Sequence, residues 1–236
     1  MRNRSVEHFW DRWADYYKMI CHSPVYQDFT AATLHEATIR GGEECLDLGC
    51  GPGFFSIGLA RLGCRVDAVD YSSSMIQCAE DSIARHKSEY DADNYPIRLI
   101  HRDVHEYVVS RPDDSADVVV ASLLLSYLDG PERVVAEVFR ILRPGGRFVM
   151  SNPVPDARFA RIFWKSGWNA VRYLFYAVQL LNYARKIKQL ERRGVFHFFT
   201  HQETVDLLVG AEFEESQIGI SLTYADTSFL ARAVKK

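Results

Sequence analysis

The stretch Leu46-Asp47-Leu48-Gly49-Cys50-Gly51-Pro52-Gly53 decides how the rest of the chain reads. A short strand-like run, residues 44–48, leads into it, and residues 54–62 follow with helical spacing. Glycines at a strand-to-helix turn let the backbone reverse tightly and approach a ligand without a Cβ in the way. The N–H groups that open the next helix would face a bound anion. A plain strand-to-helix connection has the same ingredients, so the glycines alone fix no function. Their spacing narrows the choice. A dinucleotide loop reads GxGxxG. Here the pattern is Gly49-x-Gly51-x-Gly53, and Phe54 stands where the third glycine would be needed. No phosphate-loop lysine is present, which argues against ATP hydrolysis.

Outward from this turn, strand-like runs recur at residues 65–69, 97–101, 117–121 and 147–151. Segments with helical spacing lie between them, such as 74–85 and 131–142. Strands alternating with helices predict an α/β fold with a mostly parallel, doubly wound sheet. Pro131 suits the first residue of a helix. Arg143-Pro144-Gly145-Gly146 reads as the stop between that helix and the next strand. Near the C-terminus, a helix over 202–209 precedes strand-like runs over 213–222 and 228–234. These predict an antiparallel hairpin on the sheet's edge, seven strands in all, with a helical insertion after the fifth.

At this point the chain resembles the Rossmann-like class I S-adenosylmethionine (SAM)-dependent methyltransferases, in their small-molecule branch. LDLGCGPG is similar to that family's first motif, an acid followed by GxGxG directly after a strand. The resemblance implies that Asp47 helps place the methionine amino group of SAM. It implies also that Gly49, Cys50, Gly51 and Gly53 form the loop around the ligand. Asp70 ends the second strand, where an acid can accept hydrogen bonds from two ribose hydroxyls. An acid there can equally cap the helix that begins near Ser74. Tyr71 and Met75 occupy positions resembling those that flank the cofactor. Asp103 and Val104 follow the third strand, where the family contacts the adenine amino group and ring; Asp103 also reads as a solvated turn acid. Ser122 and Leu123 would sit beside the cofactor. The run after them lacks the Asn/Asp-Pro-Pro-aromatic signature of enzymes that methylate exocyclic amines. The resemblance covers about residues 42–153.

Upstream, Phe9-Trp10-Asp11-Arg12-Trp13-Ala14-Asp15-Tyr16-Tyr17 resembles the W-A-x-x-Y segment of quinone-type methyltransferases, with Tyr17 as its terminal tyrosine. The same spacing describes an amphipathic helix that packs Phe9, Trp13 and Tyr17. Downstream, residues 156–193 carry nine basic and two acidic residues, net +7 in a chain of net -3. Eight aromatics lie among them. This stretch is expected to wall a pocket for a hydrophobic, aromatic, lipid-like or acidic acceptor. Peripheral contact with an anionic membrane and plain helix packing are the other readings. The chain is thus expected to be one domain, 1–236. Residues 1–40 would form a helical cover, 42–153 the cofactor core, 154–195 a substrate cover, and 196–236 the closing helix and strands.

Two histidines just after the insertion, His197 and His201, are candidate general bases, since imidazole titrates near neutrality. His22 is a third. Packing between aromatics, for His197, and helix entry beside an N-cap Thr200, for His201, are the structural alternatives. The five cysteines form no CxxC pair and no zinc-like spacing, so no metal is expected. Reduced thiols and the lack of a secretory leader pattern imply a cytoplasmic enzyme, monomer or homodimer. The acidic balance argues against a general nucleic-acid binder. A nucleic-acid methyltransferase, an aminopropyltransferase and a non-catalytic SAM-binding subunit remain the competing classes.

Overall fold

The computed structural model describes residues 4–90, 95–155, 157–158, 160–165 and 174–236. Seven strands form one sheet in the order β3-β2-β1-β4-β5-β7-β6. They are β1 (Glu44–Leu48), β2 (Arg65–Asp70), β3 (Ile97–His101), β4 (Ala116–Ser122), β5 (Leu142–Pro153), β6 (Ile218–Thr223) and β7 (Ser228–Val234). The first five are parallel, while β7 runs antiparallel to both β5 and β6. The expected mixed sheet with its C-terminal hairpin is therefore present. β7 lies inside the sheet and β6 forms the edge.

The central strands are Val-, Leu- and Cys-rich and buried on both faces, as parallel strands between helical layers must be. One face packs α5 (Val104–Val109), α6 (Pro131–Ile141) and α9 (His201–Gly210) through Tyr107, Val138 and Leu208. The other packs α2 (Pro24–Glu36) and α3 (Phe54–Arg61) through Phe29, Phe55 and Leu59. Arg147, only 4% exposed, clamps the helical N-terminal segment to the sheet. Its guanidinium donates to both Glu43 oxygens, at 2.8 and 2.9 Å, and to the carbonyls of Ala37 and Thr38, each at 3.1 Å.

Two boundaries differ from the sequence reading. The edge strand begins at Ile218, not at 213. Glu212 takes φ 73° and residues 215–217 form a 3₁₀ turn, while Phe213 drops into the core. Residues 143–146 do not separate helix from strand. They form a bulge within β5, between the pairs Ala116↔Leu142 and Val118↔Arg147. Asp117 holds the bulge by accepting from Arg143 at 2.7 Å and from the Glu44 N–H at 2.9 Å.

The chain passes outward from β1 to β2 and β3, then returns to place β4 on the other flank of β1. This reversal opens a crevice at the carboxyl ends of β1 and β4, the usual ligand position in open α/β sheets. Over it lie α1 (Arg4–Cys21) and, after β5, α7 (Ala160–Lys165) and α8 (Leu174–Arg192). Asp156, Phe159, Trp168, Arg172 and Tyr173 of the aromatic, basic stretch lie outside the described residues. So do the side chains of Phe163, Trp164, Phe175 and Tyr176.

Candidate active site

At the crevice is a cavity of about 330 Å³. Its walls include Tyr17, Gly49, Gly51, Asp70, Tyr71, Met75, Asp103, Ser122 and Leu123, nine of the thirteen cofactor positions read from the sequence. The loop after β1 is shaped by positive φ at Gly49 (68°), Gly51 (49°) and Gly53 (81°). The positive φ at Gly49 favours glycine, and a Cβ there would stand 2.7 Å from a Leu124 methyl and push that side chain aside.

Asp70 ties the loop together. Its Oδ2 accepts the Gly51 N–H and its Oδ1 accepts the Ser72 N–H, each at 2.9 Å. A carboxylate has about four acceptor positions, so two remain after these bonds. Burial pushes its carboxyl up to about 6, against the lowering pull of those N–H groups and of His101. The helix-cap role falls instead to Ser72, whose Oγ accepts from Met75 N–H at 3.1 Å as α4 (Ser73–Tyr90) begins. Asp103 stands directly before α5. It borders the cavity, and it caps α5 by accepting from Glu106 N–H at 3.2 Å.

Four expected positions are not on the wall. Asp47 is 1% exposed and accepts from Ser56 Oγ at 2.5 Å, joining β1 to the first turn of α3. Burial first, then the nearby Asp70 charge, raise its carboxyl to about 7. The Cys50 thiol is buried against the Gly51 carbonyl. Gly53 opens α3, and Val104 packs in the core.

The histidines are elsewhere. His197 pairs with Glu203 at 3.2 Å on the surface, and His201 sits at the exposed start of α9 beside Phe229. Neither lines the cavity. Thr200 caps α9 in a reciprocal capping box with Glu203. His22 packs against Phe54.

Residues that the sequence did not reveal complete the walls. Trp10 of α1 faces the cavity, edge-on to Tyr17 and Tyr127 with centroids 5.9 and 5.0 Å apart. Phe9 and Trp13, on the neighbouring face, pack instead on Tyr183 of α8. Helical periodicity announced an aromatic face, but not which of two adjacent stripes meets the ligand. α1 is held in place by Asp11, which accepts from Ser72 Oγ at 2.5 Å, and by Lys18 with Asp81 at 3.3 Å. Trp10, Tyr17, Leu123 and Tyr127 are shared with a second, smaller chamber of about 40 Å³ beneath α7 and α8.

These walls fit SAM. The glycine loop leaves room where a Cβ would fill it, Asp70 keeps acceptor capacity, and apolar surface flanks both. Among the described residues no cluster of His, Cys, Asp or Glu could hold a metal ion. No described helix is long and apolar enough to cross a membrane.

Comparison with known proteins gives the same answer. Residues 46–150 match the methyltransferase domain family. The mitochondrial ubiquinone biosynthesis O-methyltransferase of Schizosaccharomyces pombe is 32% identical over 124 residues, which cover 52% of this chain and 43% of that protein. The demethylmenaquinone methyltransferase of Clavibacter sepedonicus is 31% identical over 136 residues, covering 56% and 51%. The chain spans about half the length of the curated relatives it matches. Among solved structures, the magnesium protoporphyrin IX methyltransferase of Synechocystis with bound S-adenosylhomocysteine (SAH) has a TM-score of 0.62 at 15% identity, covering 94% of each chain. With its glycine loop and strand order, residues 46–150 form a core that matches the methyltransferase domain family, on a fold shared with solved SAM-dependent methyltransferases.

Proposed function

We propose that this protein transfers a methyl group from SAM to a small hydrophobic or aromatic acceptor. The observation that carries the reading is the joining of two spaces at Trp10, Tyr17, Leu123 and Tyr127. One holds the glycine loop, Asp70 and Asp103; the other is apolar and covered by helices. Several relatives bear the names of quinone-biosynthesis methyltransferases, which supports an acceptor of that kind.

Bound SAM supplies an activated methyl group on a sulfonium. The chain's own contribution is placement and exclusion of water. The Asp70 carboxylate accepts from ribose hydroxyls while its bonds to Gly51 and Ser72 keep the loop closed. Asp103 and Met75 flank the remaining length of the cofactor. Asp47 acts through Ser56 and α3, holding the loop rather than touching the ligand. Trp10 and Tyr17, on the covering helix, shield the junction of the two spaces. The exposed His197 and His201 have no part in the transfer.

The test is calorimetric titration with SAM and SAH, followed by a mass-spectrometric screen of phenolic and quinol acceptors for a gain of one methyl group. Tight SAH binding together with methylated product supports the reading. Absence of SAH binding by folded protein overturns it.

A second surface supports a peripheral membrane contact. The outer face of α8 exposes Val178 and Leu181, 49% and 43% accessible, and continues into Arg185, Lys186, Arg192 and Arg193. Apolar residues beside bases suit an anionic bilayer surface on which a lipid-like acceptor resides. Co-sedimentation with phosphatidylserine vesicles, lost in Leu181→Glu/Lys186→Glu, is the expected outcome. Equal binding by the variant would count against this contact.

A further inference from the structure

The small chamber contains one polar atom that the fold leaves unanswered. Ser228, the first residue of β7, is 1% exposed and lines the chamber, and its Oγ has no hydrogen-bond partner. Buried hydroxyls are normally satisfied, because an unpaired one carries a desolvation cost. The turn that delivers Ser228 is itself unusual. Tyr224, Ala225 and Asp226 all take left-handed conformations, with φ of 50°, 61° and 59°. For non-glycine residues each such conformation is strained, because Cβ crowds the neighbouring carbonyl. Strain of this kind persists only where surrounding contacts hold it, and it gathers at ligand sites.

The contacts that hold this turn are visible. The Tyr224 ring stacks on Phe29 with centroids 4.8 Å apart and also lines the chamber. Thr227 Oγ1 donates to the Tyr224 carbonyl at 2.6 Å. Asp226 pairs with Arg161 and Lys165 of α7 at 3.6 and 3.4 Å, which ties the covering helix to the turn.

The rest of the chamber sets the chemistry of its occupant. Its described walls carry no charged side chain. Arg185, Lys186 and Arg192 of α8 are exposed and Lys188 donates to the Pro155 carbonyl, whereas Tyr183, Ala184 and Ile187 line the chamber. Four phenols, Tyr17, Tyr127, Tyr183 and Tyr224, face the space. Burial pushes all four well up from the ordinary tyrosine range, so they stay neutral. Apolar, ring-lined walls with a few polar groups among them are how proteins orient a flat apolar ligand, and of those here Ser228 Oγ is the buried one left unpaired among the described residues.

We propose that Ser228 is the positioning residue of the acceptor site, binding the neutral hydroxyl or carbonyl oxygen of a single-ring aromatic acceptor, and that the chamber rejects charged acceptors. This rests on the methyltransferase reading and names its substrate class. A site built around a hydrogen bond discriminates against the isostere that lacks it, because the buried hydroxyl is then left unpaired again.

The test uses three matched probes, 4-fluorophenol, 4-fluorotoluene and 4-fluorobenzoate, titrated by fluorine NMR into the SAH-loaded protein and into Ser228→Ala. Wild type is expected to bind the phenol about tenfold tighter than the toluene, and the benzoate weakest. Ser228→Ala is expected to bind phenol and toluene alike, with toluene and SAH affinities unchanged. Since its hydroxyl has no partner, its loss leaves the melting temperature level or higher; a clear drop would mean a structural bond and overturn the assignment. Equal phenol preference in the two proteins overturns it as well, and so does failure of wild type to bind any neutral probe. If SAH does not bind but the Ser228-dependent phenol preference remains, the acceptor site stands and the methyltransferase reading falls.

Discussion

Asp70→Asn is the most incisive single change, since it keeps the size of the side chain and alters only what its oxygens can do. In the native loop each oxygen already accepts one backbone N–H, from Gly51 and from Ser72. Asparagine must turn an NH₂ toward one of these donors, so one loop bond is lost outright. The acceptor capacity left for the cofactor's hydroxyls falls at the same time. Hydrogen bonds to a charged group are worth about 1.5–3 kcal/mol each. Losing one loop bond and one ligand bond therefore weakens cofactor binding by about 3–6 kcal/mol, roughly 10²–10⁴-fold. Calorimetric titration with SAH measures this directly, with circular dichroism to verify that the variant is folded. The pH profile gives a second reading of the same group. Burial raises the Asp70 carboxyl to about 6, so native SAH affinity should fall as pH drops through 6, and the Asn variant should show no such step. Folded Asp70→Asn protein that binds SAH within about threefold of wild type would refute the reasoning.

Other consequences follow from the same geometry. Ser56→Ala removes the hydroxyl that donates to the buried Asp47 carboxyl, and should destabilise the fold by about 1–3 kcal/mol in denaturant unfolding. The native Asp47 value, raised to about 7, lies above that of the unfolded chain, so stability linked to this group is fully present at low pH and is lost as pH rises through 7. The Ser56→Ala penalty should accordingly grow between pH 6 and pH 8. Arg147→Met takes the guanidinium away from the partly buried Glu43, which keeps the Arg40 N–H, and from the Ala37 and Thr38 carbonyls, and should cost about 3 kcal/mol, read as a lowered melting temperature. His197→Ala and His201→Ala should keep kcat within about twofold of wild type in the acceptor assay, because both rings stand on the surface. A hundredfold fall in either would return that histidine to the chemistry.

How far the sequence could be read depends on how local each feature is. The turn after β1 was legible because its chemistry is backbone chemistry. Glycines at fixed offsets after a strand dictate the conformation whatever surrounds them, and Gly49, Gly51, Asp70 and Asp103 line the cavity accordingly. Asp47 shows where that logic stops. Its place in the motif suggested a ligand contact, but the strand alternation turns its carboxyl beneath the loop, where Ser56, nine residues on, receives it. The histidines stand off the cavity wall for a related reason. Imidazole advertises acid–base chemistry in any setting, whereas Thr200 and Glu203 build a helix cap that holds His197 outward. The small chamber was least legible of all. Its walls come from α1, α7, α8, β5 and the turn before β7, segments that meet only once the sheet has formed. No window of sequence contains Trp10, Ile162 and Ser228 together. The aromatic, basic insertion divides its labour within one helix, since Arg185, Lys186 and Arg192 are exposed while Tyr183 and Ile187 line the chamber. Net charge over such a stretch describes the surface that a substrate approaches. The chamber beneath it is described by the opposite stripe, and there the chemistry is that of rings and hydroxyls.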